Sequence, residues 1–451
     1  MASESTSSLE RAERVDDQLI RGIGVPGLTA NIINSTIGAG IFVLPAAVAK
    51  ILGPAAPLAF VCCAVAMVLF VTCFAIAGSR VSLTGGLYAY VEVAFGRYVG
   101  FLAGVLYGIT AISAVAGVGN VLVDSLGGLI PQLNNQVIRD SVMFAVYLFL
   151  VLINVRGVRA GAGTVGAITV TKLLPIILFI GVGLFFVNGA NLHWPTWPSS
   201  ADLGKSVLLL LFAFVGIEVA LIPSGEVKDP PRTVPRAIYL ALAITTVIYL
   251  LIQITAQGTL GPDLANDDKT PLAQAAATFI GNAGRTILII GAAVSAFGFV
   301  ASDILSSPRM LFAIGRDGVL PRWFAHVHPR YRSPDVAIIV YSALAFVLSV
   351  SSSFEELAVL SNVAVLSMYL LCFAGVWPLL RLPVHDDARP LNFPGMQIIP
   401  ALAIGAILWL FWLTQPWDKL ARIVTILVVF SVLYFIRAHY LRKSRQTAKS
   451  D

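Results

Sequence analysis

Long apolar runs are the feature of this chain that most limits how it can fold. An α-helix needs roughly 20 apolar residues to cross a bilayer, and in lipid every backbone N–H and C=O group must be paired within the protein. The sequence therefore predicts an all-α membrane protein with twelve transmembrane helices. The predicted spans are residues 22–50, 54–79, 98–124, 139–155, 164–187, 204–223, 237–260, 280–307, 335–351, 356–380, 396–414 and 420–437.

The composition excludes several other classes of protein. Of the 451 residues, 57% are hydrophobic and only 12% are charged, whereas about a quarter are charged in a typical soluble domain. The net charge of +6 comes from basic residues in loops, so membrane topology explains it and no nucleic-acid partner is expected. All four cysteines lie inside spans and the five histidines lie in loops or at span ends, so we expect no metal site, no cofactor and no disulfide framework.

Basic residues also predict the orientation. With a cytosolic N-terminus, 22 of the 30 lysine and arginine residues fall in inside segments and seven in outside segments. Cytosolic loops carry such an excess. The first eighteen residues are polar and lack the apolar core of a signal peptide. We therefore expect a multi-pass protein of the plasma (inner) membrane with both termini in the cytosol.

Glycines interrupt the first and the sixth spans. The first carries Gly38 and Gly40 within Ser35–Phe42, and the sixth carries Gly216. Each glycine weakens a helix by about 1 kcal/mol relative to alanine, and a break at membrane depth persists only beside a cavity or a ligand. Because the spans are five apart, they run in opposite directions, which is typical of a transporter's midplane site.

Two such interruptions can hold a zwitterion without a charged side chain. A helix that restarts after Gly38 presents N–H groups near residues 39–41, and these suit a carboxylate. Helices that stop near Thr36 and Ala213 leave carbonyls that suit an ammonium group. The pattern predicts a site for an α-amino acid.

Three charged side chains within the predicted spans are functional candidates. Lys172 is about nine residues into the fifth span, where a lysine costs about 2.5–3.5 kcal/mol and is a functional candidate by default. It either carries a coupling proton or stays charged and replaces a sodium ion; the structural alternative is snorkelling to the interface. Glu218 is a candidate gate or proton carrier. Asp303 lies nearer the cytosolic end, and its role is left open.

At these residues the chain resembles the amino acid–polyamine–organocation (APC) superfamily, which has the fold of the sodium-coupled leucine transporter. The resemblance covers nearly the whole chain from about Gly24. It rests on the following motifs: Ser35-Thr36-Ile37-Gly38-Ala39-Gly40-Ile41-Phe42, Gly85-Gly86-x-Tyr88-x-Tyr90, Phe212-Ala213-Phe214-Val215-Gly216-Ile217-Glu218, Gly225-Glu226-x-x-Asp229-Pro230 and Arg316-Asp317-Gly318-x-Leu320-Pro321.

The resemblance implies a 5+5 inverted repeat plus two C-terminal helices, with helices 1 and 6 unwound at the midplane. The chain then divides into a cytosolic tail (1–21), two five-helix repeats (22–187 and 188–380), helices 11 and 12 (381–437) and a second cytosolic tail (438–451). The family's heteromeric members carry an extracellular-loop cysteine that is missing here, so no disulfide-linked heavy subunit is expected. The oligomeric state is left open.

The resemblance also assigns residues. Implied substrate contacts are Thr36, Ile37, Ala39, Gly40, Ile41, Thr110, Ala111, Val115, Phe212 and Val215. Phe212 is similar in place to an aromatic lid, and Tyr107, Glu218 and Tyr369 match an inner gate. Lys172 matches the lysine that occupies the second sodium site in proton-coupled and exchanging relatives, with Ser295 as its partner. Val115 replaces an asparagine of the arginine–agmatine antiporter, which argues against a guanidinium substrate.

We weigh three functions. The first is a secondary transporter of small neutral L-amino acids that works by alternating access, as a sodium-independent exchanger or proton symporter. The second keeps the fold and takes a cationic amino acid or polyamine, with Glu218 or Asp303 as its charge partner. The third is a non-transporting amino acid sensor. An enzyme is not expected, because no nucleophile–base pair or metal set appears.

Overall fold

The structure is a computed structural model that describes residues 23–80, 87–156, 162–218, 227–266, 269–316, 320–381 and 391–447. The predicted tail 1–21 and the end of the predicted tail 438–451 lie outside these ranges. So does the stretch 219–226, which follows the interruption of the sixth span.

The described residues form sixteen α-helices joined by short 3₁₀ turns, and among them the only β pairing is one isolated bridge between Ile23 and Val227. Seven helical stretches in the described ranges are long and apolar enough to cross a membrane, which makes this a multi-pass, all-α protein. The α-helices are α1 Val25–Thr36, α2 Leu44–Leu52, α3 Ala56–Gly78, α4 Leu87–Phe95, α5 Arg97–Gly127, α6 Gln136–Val155, α7 Ala162–Gly183, α8 Ser200–Phe214, α9 Pro230–Leu260, α10 Pro271–Ile280, α11 Asn282–Ser306, α12 Pro308–Arg316, α13 Asp335–Ser351, α14 Phe354–Leu380, α15 Ile399–Thr414 and α16 Trp417–Thr447.

Some helices extend beyond the apolar runs that predicted them. Helix α9 begins at Pro230, seven residues before the predicted span at 237, since a proline fits the first turn of a helix where its missing N–H is not needed. Helix α10 has no counterpart among the predicted spans, because its ten residues are too few to cross a bilayer. An apolar run thus locates a helix but does not fix where it begins or ends.

The helical backbone is interrupted at both glycine-marked positions. Helix α1 ends at Thr36, the Ile37 N–H still bonds the Ile33 carbonyl, and Gly38 is extended. A 3₁₀ turn, Ala39–Phe42, then leads into α2. Helix α8 ends at Phe214, after which Val215 is extended and Gly216 has a φ of +108°. Each of these two turns interrupts an apolar segment that would otherwise form a continuous helix.

Helix α5 lies at the centre of the described fold. It packs against α14 and α11, while α9 packs against α1 and α3. Many of the buried residues of α5 are glycine or alanine, and small residues let helix backbones approach closely in a membrane protein. One continuous cluster of buried apolar side chains joins these helices and both interruptions, so the interrupted turns lie inside the protein and not against lipid.

Candidate functional site

The two interruptions touch each other directly. Gly216 lies so close to the end of α1 that a β-carbon built on it would be 2.8 Å from the Ser35 carbonyl oxygen. Its φ of +108° is one that residues with a side chain rarely adopt. Both the space and the backbone angle therefore require glycine, and the contact between the two turns is one of main chain with main chain.

Tyr249 of α9 joins the two broken ends. Its hydroxyl lies 3.0 Å from the Thr36 carbonyl oxygen and 2.7 Å from the Ala213 carbonyl oxygen. The last carbonyls of a helix have no intrahelical donor, and burial makes an unpaired carbonyl costly. The single O–H of this fully buried tyrosine thus serves the ends of both α1 and α8.

A cavity lies beside the joined turns, and we call it the site cavity. About 40 Å³ of it is open to the centre of a water molecule, a few times the roughly 10–15 Å³ that one water needs. It is lined by Ser35, Thr36, Gly38, Ala39, Gly40, Ile41, Ala114, Val118, Phe212, Ala213, Val215 and Phe299. None of these residues carries a charge, so polarity in the cavity comes from hydroxyl groups and the main chain.

The turn at 39–42 supplies the polar edge of the site cavity. No side chain caps its N-terminus, and the first N–H groups of such a turn have no acceptor within it. The Thr36 hydroxyl is buried without a hydrogen-bond partner among the described residues. Opposite, a β-carbon at Gly40 would be 3.0 Å from the Phe212 ring, so Phe212 closes down on this turn. The site cavity is therefore bordered by hydrogen-bond donors on the side of the turn and by the apolar Phe212 ring on the opposite side.

Six of the residues implied as substrate contacts line the site cavity, namely Thr36, Ala39, Gly40, Ile41, Phe212 and Val215. Ile37 does not; it closes the last turn of α1. On α5 the lining residues are Ala114 and Val118. The three implied there, Thr110, Ala111 and Val115, are buried elsewhere along the helix: the Thr110 carbonyl accepts from Ser361 and the Val115 carbonyl from Tyr147.

Besides Ala114 and Val118, two aromatic residues of the site were not among the candidates, Tyr249 and Phe299. Each is an aromatic residue within an apolar span, where packing is the usual role. The sequence offers no signal that separates them from other aromatic residues in the spans.

Lys172 lies beside the end of α1. Its side chain is 7% exposed, and its ammonium group donates a hydrogen bond to the Asn34 carbonyl. A cation stabilises the C-terminal end of a helix, where the backbone dipoles leave partial negative charge. The side chain thus points into the protein rather than towards the membrane surface. The buried Ser295 hydroxyl forms no hydrogen bond with any described residue, so the two do not pair here.

The predicted inner-gate residues lie in three different settings. The Glu218 carboxylate accepts a hydrogen bond from the Gly216 N–H at 3.0 Å. It thereby pairs a main-chain donor of the turn that follows α8. The buried Tyr369 hydroxyl is near Glu218 without meeting the geometry of a hydrogen bond, and its ring packs edge-on to Phe74. Tyr107 is 39% exposed. The structure therefore brings Glu218 and Tyr369 together and leaves Tyr107 more open.

Asp303 is held between helices rather than left in solvent. One carboxylate oxygen accepts from the Ser307 hydroxyl at 2.7 Å, and the other accepts from the Tyr341 hydroxyl of α13. An ionised carboxylate that receives two such bonds is well satisfied. These contacts link α11 to α13, about one helical turn beyond Phe299, which lines the site cavity.

A second and larger cavity of about 650 Å³ lies further along α5. Its walls carry both signs of charge, from Lys50, Arg139 and Lys269 on one hand and Asp124, Glu355 and Glu356 on the other. It shares α5 with the site cavity, because Asn120 and Val121 lie two and three residues after Val118. We call it the larger cavity.

Comparison with known proteins assigns the family. The sequence model described as "Amino acid permease" matches residues 23–443, nearly the whole chain. This chain belongs to the amino acid permease family. As a member it is a multi-pass membrane transporter of amino acids and not an enzyme, and the interrupted helices lie in the part of the permease that the family model covers.

Several relatives of the permease are similar along most of their length. The serine/threonine exchanger SteT of Bacillus subtilis (strain 168) is 29% identical, over 92% of this chain and 95% of its own. The branched-chain amino acid permease BcaP of the same organism is 26% identical over 97% of each chain. An uncharacterized transporter of Mycobacterium tuberculosis (strain ATCC 25618 / H37Rv) is 31% identical over 75% of each chain.

Proposed function

We propose that this permease transports small neutral L-amino acids across the plasma membrane by alternating access, as a sodium-independent exchanger or proton symporter. The observation that carries the proposal is the site cavity, which is enclosed by two interrupted helices and lined only by uncharged residues. A charged substrate side chain would find no opposite charge there and would lose its hydration without compensation.

The proposal gives each end of the substrate a partner. The carboxylate lies at the uncapped N–H groups of the turn 39–42, where the dipoles of the turn favour negative charge. The ammonium group lies at the carbonyls that end α1 and α8, beside Tyr249. The side chain then faces Ala114, Val118 and Phe299, whose apolar surface suits a small neutral group.

The names of the relatives agree with this choice of substrate. One is a serine/threonine exchanger and another is a branched-chain amino acid permease. Serine, threonine and the branched-chain amino acids all have uncharged side chains, so a neutral substrate is the chemistry that the two names have in common.

We also propose the family's architecture and orientation for the whole chain. The described helices fit twelve spans if α1 and α2 count as one interrupted helix and α4, α10 and α12 do not cross. The first ten spans form two inverted repeats over 22–187 and 188–380, and both termini lie in the cytosol. Sodium independence rests on Lys172, because its ammonium group already binds a carbonyl at the end of α1.

Uptake into proteoliposomes tests the proposal. Purified permease is reconstituted, and uptake of labelled serine, threonine, valine and arginine is measured with and without the same amino acid inside, with and without sodium, and with and without a proton gradient. We expect saturable uptake of the neutral substrates at equal rates in sodium and in choline. Acceleration by internal amino acid indicates exchange, and acceleration by a proton gradient indicates symport.

Protein-free liposomes and a competition series with unlabelled arginine and putrescine are the controls. Saturable binding of a neutral amino acid without any flux would show a sensor and contradict the proposal. Transport of arginine or putrescine in preference to neutral amino acids would contradict the choice of substrate.

A further inference from the structure

Two phenylalanine rings separate the site cavity from the larger cavity. Phe212 lines the first and Phe354 lines the second. The rings meet edge to face with their centroids 5.4 Å apart and their planes at 90°, a favoured geometry for aromatic rings. We call Phe212 and Phe354 the aromatic pair; each ring lines one of the two cavities, so the pair lies between them.

The position of Phe354 is set by the turn that precedes α14. Phe354 is the first residue of the helix, and Ser353 caps it. The Ser353 hydroxyl accepts from the Glu356 N–H while the Glu356 carboxylate accepts from the Ser353 N–H, each at 3.3 Å. A capping box of this kind fixes the backbone at the start of a helix, so the Phe354 ring moves with this turn.

A chain of hydrogen bonds ties the turn to α5 and α6. Arg139 of α6 donates to an Asp124 carboxylate oxygen at 3.1 Å and to the Asn120 side-chain oxygen at 2.8 Å. The Asn120 amide nitrogen donates to the Ser352 carbonyl at 2.9 Å. Because Arg139 can only donate, the Asn120 oxygen must face it, and the Asn120 NH₂ group is thereby directed at the turn before Phe354.

Asn120 is only 2% exposed, whereas Ser352 is half-buried, and both residues line the larger cavity. The Asn120–Ser352 bond is therefore a part-buried hydrogen bond of ordinary net strength. It favours the observed position of the turn without locking it.

We infer that Asn120 is a positioning residue that holds Phe354 on Phe212 and so keeps the site cavity closed towards the larger cavity. Arg139 acts one step behind it by orienting the Asn120 amide. The inference rests on the proposed transport function. In alternating access the site cavity opens towards the larger cavity to exchange substrate, and it closes there before it opens towards the opposite face of the membrane. Weakening the Asn120–Ser352 bond shifts the equilibrium towards the state with the aromatic pair apart.

Thiol labelling inside the site cavity tests this inference. The probe is Ala114→Cys in a protein with Cys62, Cys63, Cys73 and Cys372 replaced by alanine, and the reagent is a charged methanethiosulfonate added to purified permease in detergent. We expect Asn120→Asp to raise the labelling rate about three- to tenfold, the factor given by loss of one hydrogen bond of ordinary net strength. Phe354→Ala, which removes one ring, is expected to raise it at least as much.

The choice of Asn120→Asp separates positioning from simple stability. The aspartate still accepts from Arg139, so the contacts between α5 and α6 remain, but an oxygen now faces the Ser352 carbonyl. Gln136→Ala is the matched control, since Gln136 lines the same cavity and donates to Asp140 instead. A second protein that keeps only the buried Cys372 reports general loosening, and its labelling rate is expected to stay unchanged in Asn120→Asp.

Three results would overturn the inference. They are an unchanged rate in Asn120→Asp while Phe354→Ala is faster, an unchanged rate in Phe354→Ala, and an equal rise at Cys372. If Asn120→Asp does not fold, Arg139→Met compared with Gln136→Met makes the same test one step earlier in the chain of bonds. Labelling requires no flux, so a failure of the proposed transport function would appear in wild-type uptake and not here.

Discussion

Tyr249 serves two helix ends with one hydroxyl group. The Thr36 and Ala213 carbonyls both lie within hydrogen-bond distance of it, and each ends a helix that cannot satisfy its own last carbonyls. Tyr249 therefore couples the positions of the ends of α1 and α8 through its two contacts. Its removal is expected to affect both stability and the site.

We predict that Tyr249→Phe lowers the free energy of unfolding by about 1–3 kcal/mol, the usual cost of leaving a buried polar group unpaired. It should also weaken substrate binding, because the Tyr249 hydroxyl holds in position the two carbonyls that are proposed for the ammonium group. Thermal unfolding in detergent and binding of a neutral amino acid measure the two effects. Tyr239→Phe is the control, since Tyr239 also lies on α9 and its hydroxyl is 2.7 Å from the Thr72 hydroxyl of α3. Equal loss of binding in both variants would contradict the prediction.

The second prediction at this scale concerns Lys172. Its ammonium group bonds the Asn34 carbonyl, and hydrogen bonds to charged groups contribute roughly 1.5–3 kcal/mol. We expect Lys172→Ala to reduce the uptake rate at least tenfold and Lys172→Arg to keep most of it, because arginine retains the charge. Loss of uptake in both variants would instead indicate that Lys172 must release its proton. Lys205→Ala, at an exposed lysine, controls for the general effect of removing a cation.

The sequence predicted some residues of the site and not others. Lys172 stands out because a charge in an apolar span is costly, whereas Tyr249 and Phe299 look like ordinary packing residues. On α5 the sequence comparison implied Thr110, Ala111 and Val115, while Ala114 and Val118 line the cavity. Which face of a helix turns towards a cavity depends on its rotation against α11 and α14, and nearly uniform apolar residues do not encode that rotation.

At the scale of elements, the two interrupted turns carry the site because each provides main-chain groups that a continuous helix would use internally. We predict that Gly216→Ala abolishes uptake and lowers the midpoint of thermal unfolding. Its β-carbon would lie 2.8 Å from the Ser35 carbonyl oxygen at a φ of +108°. Gly281→Ala is the control for strain alone, with a φ of +75° and no atom within 4 Å of the added carbon; it should lose some stability and keep uptake.

The turns themselves were accessible from the sequence, since glycines in the middle of apolar runs indicated where α1 and α8 stop. Their contact was not. Gly216 lies against Ser35 with about 180 residues of chain between them, and a contact over such a separation depends on the packing of the whole helix bundle. The apolar pattern also did not predict where helices begin and end. Helix α9 begins at Pro230, well before its apolar part.

At the scale of the whole molecule, the distribution of basic residues predicts which loops face the cytosol. Trp197, 77% exposed, lies between the predicted fifth and sixth spans, and Val327, 42% exposed, lies between the eighth and ninth. We expect a membrane-impermeant maleimide to label Trp197→Cys in intact cells, and to label Val327→Cys only after permeabilisation. The reverse pattern would place the termini outside.

The bare contact between Gly216 and the Ser35 carbonyl has a mechanical consequence. A long side chain at this contact could change its rotamer when one helix tilts. Two main-chain segments in contact cannot adjust in that way. A rocking movement of α1 must therefore push on the turn after α8 within the same step. A leak requires the site to be open to both faces of the membrane at once. Gly216 and the end of α1 would have to separate first.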